Sequence, residues 1–157
     1  ESSFLDRIAT AIKHYKSDAI IIGEVWEDAS TKVSYGKLRP YFTKGQLDGV
    51  MNYVFKDAIL AYMNDGNSDN FGVKVMDLIE NYPHDAMSSS MTMLGSHDTI
   101  RIINELSGIR GGDWNKIDQL NYRLPSHIYD KAVNRLKVAS AIEYFLPGIP
   151  SIYYAGI

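Results

Sequence analysis

The stretch Ala19-Ile20-Ile21-Ile22-Gly23-Glu24-Val25-Trp26 constrains the fold of this chain more than any other. It is a short apolar run rich in β-branched residues, and it ends on a carboxylate followed by an aromatic ring. A run of this length after a helical pattern is expected to be a strand buried on both faces, as in a parallel sheet. The carboxyl ends of such strands are where α/β barrels and open α/β sheets build their active sites. Glu24 therefore stands where chemistry is done, unless it merely opens the following loop. A second stretch, Leu94-Gly95-Ser96-His97-Asp98-Thr99, repeats the grammar of apolar run and then polar cluster. That repetition favours the functional reading.

The segments between these two stretches alternate in period. Ser2 or Ser3 is expected to cap a first helix, with Asp6 three residues after Ser3 in capping-box position. Phe4, Leu5, Ile8, Ile12 and Tyr15 then recur at helical spacing, and Lys13, His14 and Lys16 crowd the last turn, where cations suit the negative helix end. Residues 27 to 46 are polar and broken by Gly and Pro, a connection expected to hold one short helix. Strand character returns over 47–53, 91–94 and 149–154, with Pro150 tolerated near a strand start. Helices are expected over 55–63, 71–79, 100–106 and 128–146, the last so apolar in its second half that it should be covered on most sides. Residues 110–127, with Gly111-Gly112, are expected to loop over the surface, and His84 and His127 to lie in loops beside prolines. Four strands alternating with helices make the βα grammar of a parallel sheet. A closed eight-fold barrel takes about 250 residues, so a chain of 157 with four such units is expected to be half of one.

Composition narrows the partners. A net charge of −3 gives no basic face for nucleic acid, and no Lys/Arg block marks a membrane patch. With no cysteine there is no thiolate metal site and no thiol nucleophile, while the compartment stays open. Eleven tyrosines supply rings with polar edges, which suit sugar surfaces as well as cores.

Ile22-Gly23-Glu24-Val25-Trp26 and Leu94-Gly95-Ser96-His97-Asp98-Thr99 resemble two signature regions of the α-amylase family of glycoside hydrolases, in the right order. Met51-Asn52-Tyr53 and the run from Pro147 to Tyr154 resemble that family's sixth and eighth strands. The wording around Glu24 and Tyr53 is most similar to the neopullulanase and cyclomaltodextrinase branch. The resemblance implies an α/β fold, part of a (β/α)8 barrel, with residues 1–157 as its C-terminal half (strands five to eight) and no second domain in this chain. It implies Glu24 as general acid/base, Asp98 as the carboxylate stabilising the transition state, and His97 holding sugar hydroxyls. Trp26 matches an aromatic position beside the cleavage site, and Tyr53 belongs to the same substrate-binding rim. The substrate it implies is an α-glucan oligosaccharide, from starch, pullulan or cyclodextrin. It implies no cofactor within these residues, and it admits calcium and an oligomer in a full-length parent. The family's nucleophilic aspartate lies on a fourth strand whose motif is not found here. After Tyr153-Tyr154 the family usually continues Gly-Asp-Glu, whereas this chain has Ala155-Gly156-Ile157; position 100 is Ile, where the branch often has Pro or a polar residue.

Retaining cleavage needs two carboxyl groups held close, one protonated and one ionised. An apolar strand end is expected to desolvate Glu24 and suit it to the acid role, while Asp98 beside His97 stays ionised more easily. Arg101, three residues past Asp98, is expected to orient a catalytic carboxylate. Two other classes compete: a metal-dependent phosphohydrolase built on His97-Asp98, which needs further His and Asp ligands, and a barrel kept only as a binding scaffold. Retention of both Glu24 and Asp98 argues against the scaffold.

Overall fold

The computed structural model describes residues 2–109 and 115–154. Helix α1 (Ser2–Tyr15) leads into β1 (Ile22–Gly23), followed by β2 (Val33–Ser34), β3 (Lys37–Leu38) and β4 (Gly49–Val50). Three helices come next: α2 (Tyr53–Asp65), α3 (Ser68–Asn81) and α4 (His84–Ser89). Strand β5 (Met91–Thr92) precedes α5 (Ile102–Ser107), α6 (Lys116–Asn121), α7 (Ser126–Phe145) and β6 (Ile149–Pro150). Among the described residues no helix is long and apolar enough to cross a membrane.

Four strands form one parallel layer in chain order. β1 pairs with β4 through Ile22↔Gly49 and Gly23↔Val50, and β5 pairs with β6 through Met91↔Ile149 and Thr92↔Pro150. Among the described residues a single parallel bridge, Met51↔Met91, joins the two pairs, reinforced by the Asn52 N–H donating to the Met91 carbonyl at 2.9 Å. The order never reverses, as it would at the switch point of a doubly wound sheet. Such one-way winding belongs to a barrel wall.

The regular pairing is shorter than the apolar runs suggest, two residues per strand. The expectation that the run through Glu24 is buried on both faces is corrected: Ile20 is 57% exposed, and Ile21 and Ile22 are only half-buried. Among the described residues β1 has a neighbour on one side only, so half of that surface meets solvent. Helix α7 is corrected in the same way. Only Ala132, Ala139 and Glu143 are buried along it, while Phe145 is 91% exposed and Val138 and Tyr144 face outward.

Local chemistry explains most boundaries. Ser3 lies inside α1 rather than at its start, and Asp6 accepts from Gln46 Nε2 at 2.6 Å. Lys13 does more than complement a helix end. Its ammonium meets Asp48 Oδ1 at 2.8 Å while Asp48 Oδ2 accepts from the Ile21 N–H at 2.7 Å, which ties α1, β1 and the approach to β4 together. In place of the short helix expected within 27–46 there is a β2–β3 hairpin turning through Tyr35 and Gly36, both with positive φ (53° and 70°), the backbone of a type I′ turn. Asn52 caps α2 by accepting from the Phe55 N–H at 3.0 Å, and Gly66 ends that helix in the left-handed conformation. α4 and α6 were not anticipated: His84 opens α4 rather than a loop, His127 lies in the first turn of α7, and Asn115 caps α6. Gly111-Gly112, within the loop expected over 110–127, and Ala155-Gly156-Ile157 lie outside the described residues.

Two packed clusters sit behind the layer. Val25, Val50, Phe55, Leu78 and Met87 fill one; Ile59, Leu94, Ile102, Leu106 and Ala139 fill the other, between α2, α5 and α7. Ser90, fully buried, stitches the layer to α4: its Oγ accepts from the Val50 N–H at 3.1 Å and donates to the Ala86 carbonyl at 2.7 Å. β6 bonds inward through the N–H groups of Ile149 and Ser151, so the donor that Pro150 lacks falls on the free edge, where proline is tolerated.

Two measurements check this packing. Gly148 has φ +114°, and a Cβ there would sit 2.6 Å from Thr92 Oγ1 and 2.7 Å from the Ser90 carbonyl. Gly148→Ala should lower unfolding free energy by about 3 kcal/mol in thermal or urea melts; an unchanged midpoint would refute the close approach. Glu143 is 3% exposed with Oε1 lacking a hydrogen-bond partner among the described residues, and burial pushes its carboxyl up from 4.5 to about 7, partly offset by the Ser151 backbone hydrogen bond. The native state then holds that proton more tightly than the unfolded chain. Stability from this group is therefore intact below pH 4.5 and falls as pH rises to about 7, by on the order of 3 kcal/mol. Glu143→Gln should flatten the difference in urea midpoint between pH 5 and pH 8; identical pH slopes in both proteins would count against it.

Candidate active site

The carboxyl ends of the parallel strands converge on one rim. Glu24 follows β1 directly, Tyr53 is the first residue of α2 after β4, and Ser96-His97-Asp98 follow β5. Past β1 the chain alternates: Val25 turns into the core between layer and helices, while the Glu24 and Trp26 side chains turn to the opposite side. Donor atoms of Glu24, His97 and Asp98 all lie within 4.8 Å of one another, although 98 − 24 = 74 positions separate the two acids. His97 Nε2 lies 3.3 Å from Asp98 Oδ2.

The segment presenting His97 and Asp98 is a closed turn. The Ser96 N–H donates to Thr99 Oγ1 at 2.8 Å, and the Asp98 N–H donates to Ser96 Oγ at 3.3 Å. With the Ser96, Asp98 and Thr99 N–H groups satisfied internally, the turn can hold two exposed polar side chains without a long loop.

Tyr53 links the two halves of the site. Its phenol oxygen is 3.0 Å from Glu24 Oε1 and 2.9 Å from Ser96 Oγ. A phenol has one proton. It donates to the carboxylate, and the serine hydroxyl donates in turn to the phenol oxygen. The ring is fully buried, covered by Trp26 at a centroid distance of 3.8 Å and an interplanar angle of 13°. Burial foremost, then the hydrogen bond to Glu24 and the charges of Glu24 and Asp98, raise the phenol above its usual 10, with the Ser96 bond pulling the other way. Tyr53 thus stays protonated and able to donate.

Placement of the expected site residues is uneven. Glu24, His97 and Asp98 stand together, and Trp26, 45% exposed, stacks on Tyr53 beside Glu24. Tyr53, expected on the substrate-binding rim, lies between Glu24 and Ser96 with its ring buried under Trp26. The desolvation expected at Glu24 is not supplied by the described residues: Glu24, His97 and Asp98 are all exposed. Arg101 is exposed at the N-terminal boundary of α5, where its carbonyl accepts from the Asn104 and Glu105 N–H groups, and its side chain makes no hydrogen bond or ion pair among the described residues. Ser96 was overlooked, though a serine two positions before Asp98 at a strand end is a recognisable turn signal. Tyr153, beyond β6, also reaches the rim, where the Asp98 charge helps to raise its phenol after desolvation and the Tyr154 contact.

Chemically, the cluster offers two carboxyl groups, an imidazole and a flat apolar face. Mixed oxygen and nitrogen donors could hold a transition metal. They do not fit calcium, which takes six to eight oxygens.

Comparison with known proteins follows the same lines. Residues 1–156 match the family model for the alpha amylase catalytic domain. The chain is 32% identical over 156 residues to an amylopullulanase of Thermoanaerobacter thermohydrosulfuricus, covering 92% of this chain and 9% of that protein. It is 31% identical over 156 residues to a cyclomaltodextrinase of Geobacillus thermopakistaniensis, covering 98% of this chain and 21% of that protein. The chain thus spans about a fifth or less of the length of these relatives. In fold it is similar to cyclic alpha-maltosyl-(1→6)-maltose hydrolase from Arthrobacter globiformis (TM-score 0.69, 22% identity, 99% of this chain and 29% of that one).

The stacked pair carries a prediction. Trp26→Ala uncovers Tyr53 and removes the stack. With almost half of the indole already facing solvent, unfolding free energy should fall by roughly 2 kcal/mol, read as a lower urea midpoint. No change would mean that the indole rests on the rim without bracing it.

Proposed function

The chain belongs to the alpha-amylase catalytic-domain family, and from that premise we propose that it forms part of the active site of a retaining glycoside hydrolase acting on α-glucosidic bonds. Catalytic domains of this family are (β/α)8 barrels, and β1, β4, β5 and β6 correspond in this reading to strands five to eight. Residues 1–157 then make the C-terminal half of that barrel. The substrate is an α-glucan oligosaccharide of the kind found in starch, pullulan or cyclodextrins. The observation that carries the reading is the meeting of Glu24, His97 and Asp98 within 4.8 Å at the carboxyl ends of parallel strands.

Each residue takes a role that its chemistry allows. Glu24 gives a proton to the departing glycosidic oxygen and later removes one from the attacking water. Asp98, ionised, offsets the positive charge that develops on the ring and accepts from sugar hydroxyls. His97 shares those hydroxyls, and its contact with Asp98 holds the two side chains in one orientation. The open face of Trp26 stacks a sugar ring beside the scissile bond. The nucleophile comes from a strand outside this chain. Glu24 needs a drier setting than these residues give it, and a bound sugar together with the other barrel wall supplies one. Both carboxylates on one rim favour catalysis over a scaffold.

The test is leaving-group dependence in the full-length protein. Glu24→Gln should lower kcat on maltotriose by about 10²–10⁴-fold, the usual worth of general acid catalysis. α-Maltosyl fluoride, whose fluoride departs without a proton, should lose far less in the glycosylation step. Equal loss on both substrates would remove Glu24 from the acid role.

A further inference from the structure

The buried phenol beside Glu24 has no place in the roles above, and its geometry is specific. Its oxygen contacts only one oxygen of the carboxyl group, Oε1, at 3.0 Å. Oε2 has no hydrogen-bond partner among the described residues. On its other side the phenol meets Ser96 Oγ at 2.9 Å, and the same Oγ accepts from the Asp98 N–H at 3.3 Å. The ring cannot swing away, being fully buried and stacked under Trp26 at 3.8 Å.

A carboxylic acid can carry its proton on either oxygen, and only one of them can face a glycosidic bond. A hydrogen-bond donor fixed against one oxygen leaves that oxygen as acceptor and sends the proton to the other. From this geometry we infer that Tyr53 is a positioning residue: by donating to Oε1 it holds the acid proton of Glu24 on Oε2, the oxygen left free to meet substrate. The inference rests on the role proposed for Glu24. Ser96 completes the device by donating to the phenol oxygen, so the phenol proton has only Oε1 to serve. Because Ser96 Oγ also holds the Asp98 N–H, one buried hydroxyl pair sets both carboxylates in register. Tyr53 keeps its proton throughout. When Glu24 transfers its own from Oε2 to the leaving oxygen, the phenol remains as a donor to the new carboxylate, and nothing else need move.

Tyr53→Phe keeps the ring and its stack while deleting the donor, so the full-length variant isolates the effect. Its kcat on maltotriose should fall about tenfold or more with KM within about twofold, while α-maltosyl fluoride loses less than about threefold. Ser96→Ala approaches the relay from the other end and should give the same pattern at smaller amplitude, which keeps the test open should Tyr53→Phe fold poorly. Equal losses on the two substrates, or a rise in KM alone, would overturn the positioning role while leaving Glu24 as the acid. If the wild-type protein cleaves neither substrate, the proposed function fails, and this inference with it.

Discussion

The junction between β4 and β5 is the contact on which the rest depends. Two strand pairs, β1 with β4 and β5 with β6, are joined through one bridge, Met51↔Met91, and the Asn52 N–H to the Met91 carbonyl. The bridge fixes the relative height of the two pairs. A slip of one residue there would turn alternate side chains to the other face. Glu24 belongs to the first pair and Asp98 to the second, so their meeting within 4.8 Å is a consequence of this register. Ser90 protects the junction from behind, since its buried Oγ satisfies the Val50 N–H that would otherwise be stranded.

Asn52 converts that register into a site. Its backbone pairs with β5 while its side chain caps α2, so strand passes into helix with no loop between them. The first helical residue, Tyr53, is therefore delivered to the rim with little freedom, beneath Trp26 and between Glu24 and Ser96. Rigid elements hold reacting groups better than loops do. Here the donors that touch the carboxylates come from a helix start and a closed four-residue turn.

Exposure divides the molecule. The faces toward α2, α3, α4 and α5 are packed, whereas Ile20 just before β1, Phe145 on α7 and Ile152 beyond β6 are open to solvent. The open surfaces lie along the two unpaired sides of the layer and along the helix behind β6. The carboxylates share this openness. Their mutual geometry is set by these residues, while the low polarity required by the role proposed for Glu24 is not.

Much of this was legible in the residues themselves. The runs ending at Glu24 and Asp98, the breaks at residues 64–67 and at Pro147-Gly148, and the helical spacing of α1 and α3 all follow from local chemistry, as does the alternation that implies parallel strands. Family resemblance rested on the same few motifs. The hairpin through Tyr35-Gly36 was hidden because a tyrosine at positive φ carries no obvious turn signal, and α4 and α6, at six residues each, are too short to show a period. What only the tertiary structure decided is which side of each element is covered. Periodicity says that a residue wants burial, not whether a neighbour exists to provide it, so the solvent exposure of Ile20, Phe145 and Glu24 could not be read from their types. The role of Tyr53 belongs to the same category. Its phenol becomes a fixed donor to Glu24, 29 positions away in sequence, only because β1 and β4 pair side by side, and no local pattern records that distance.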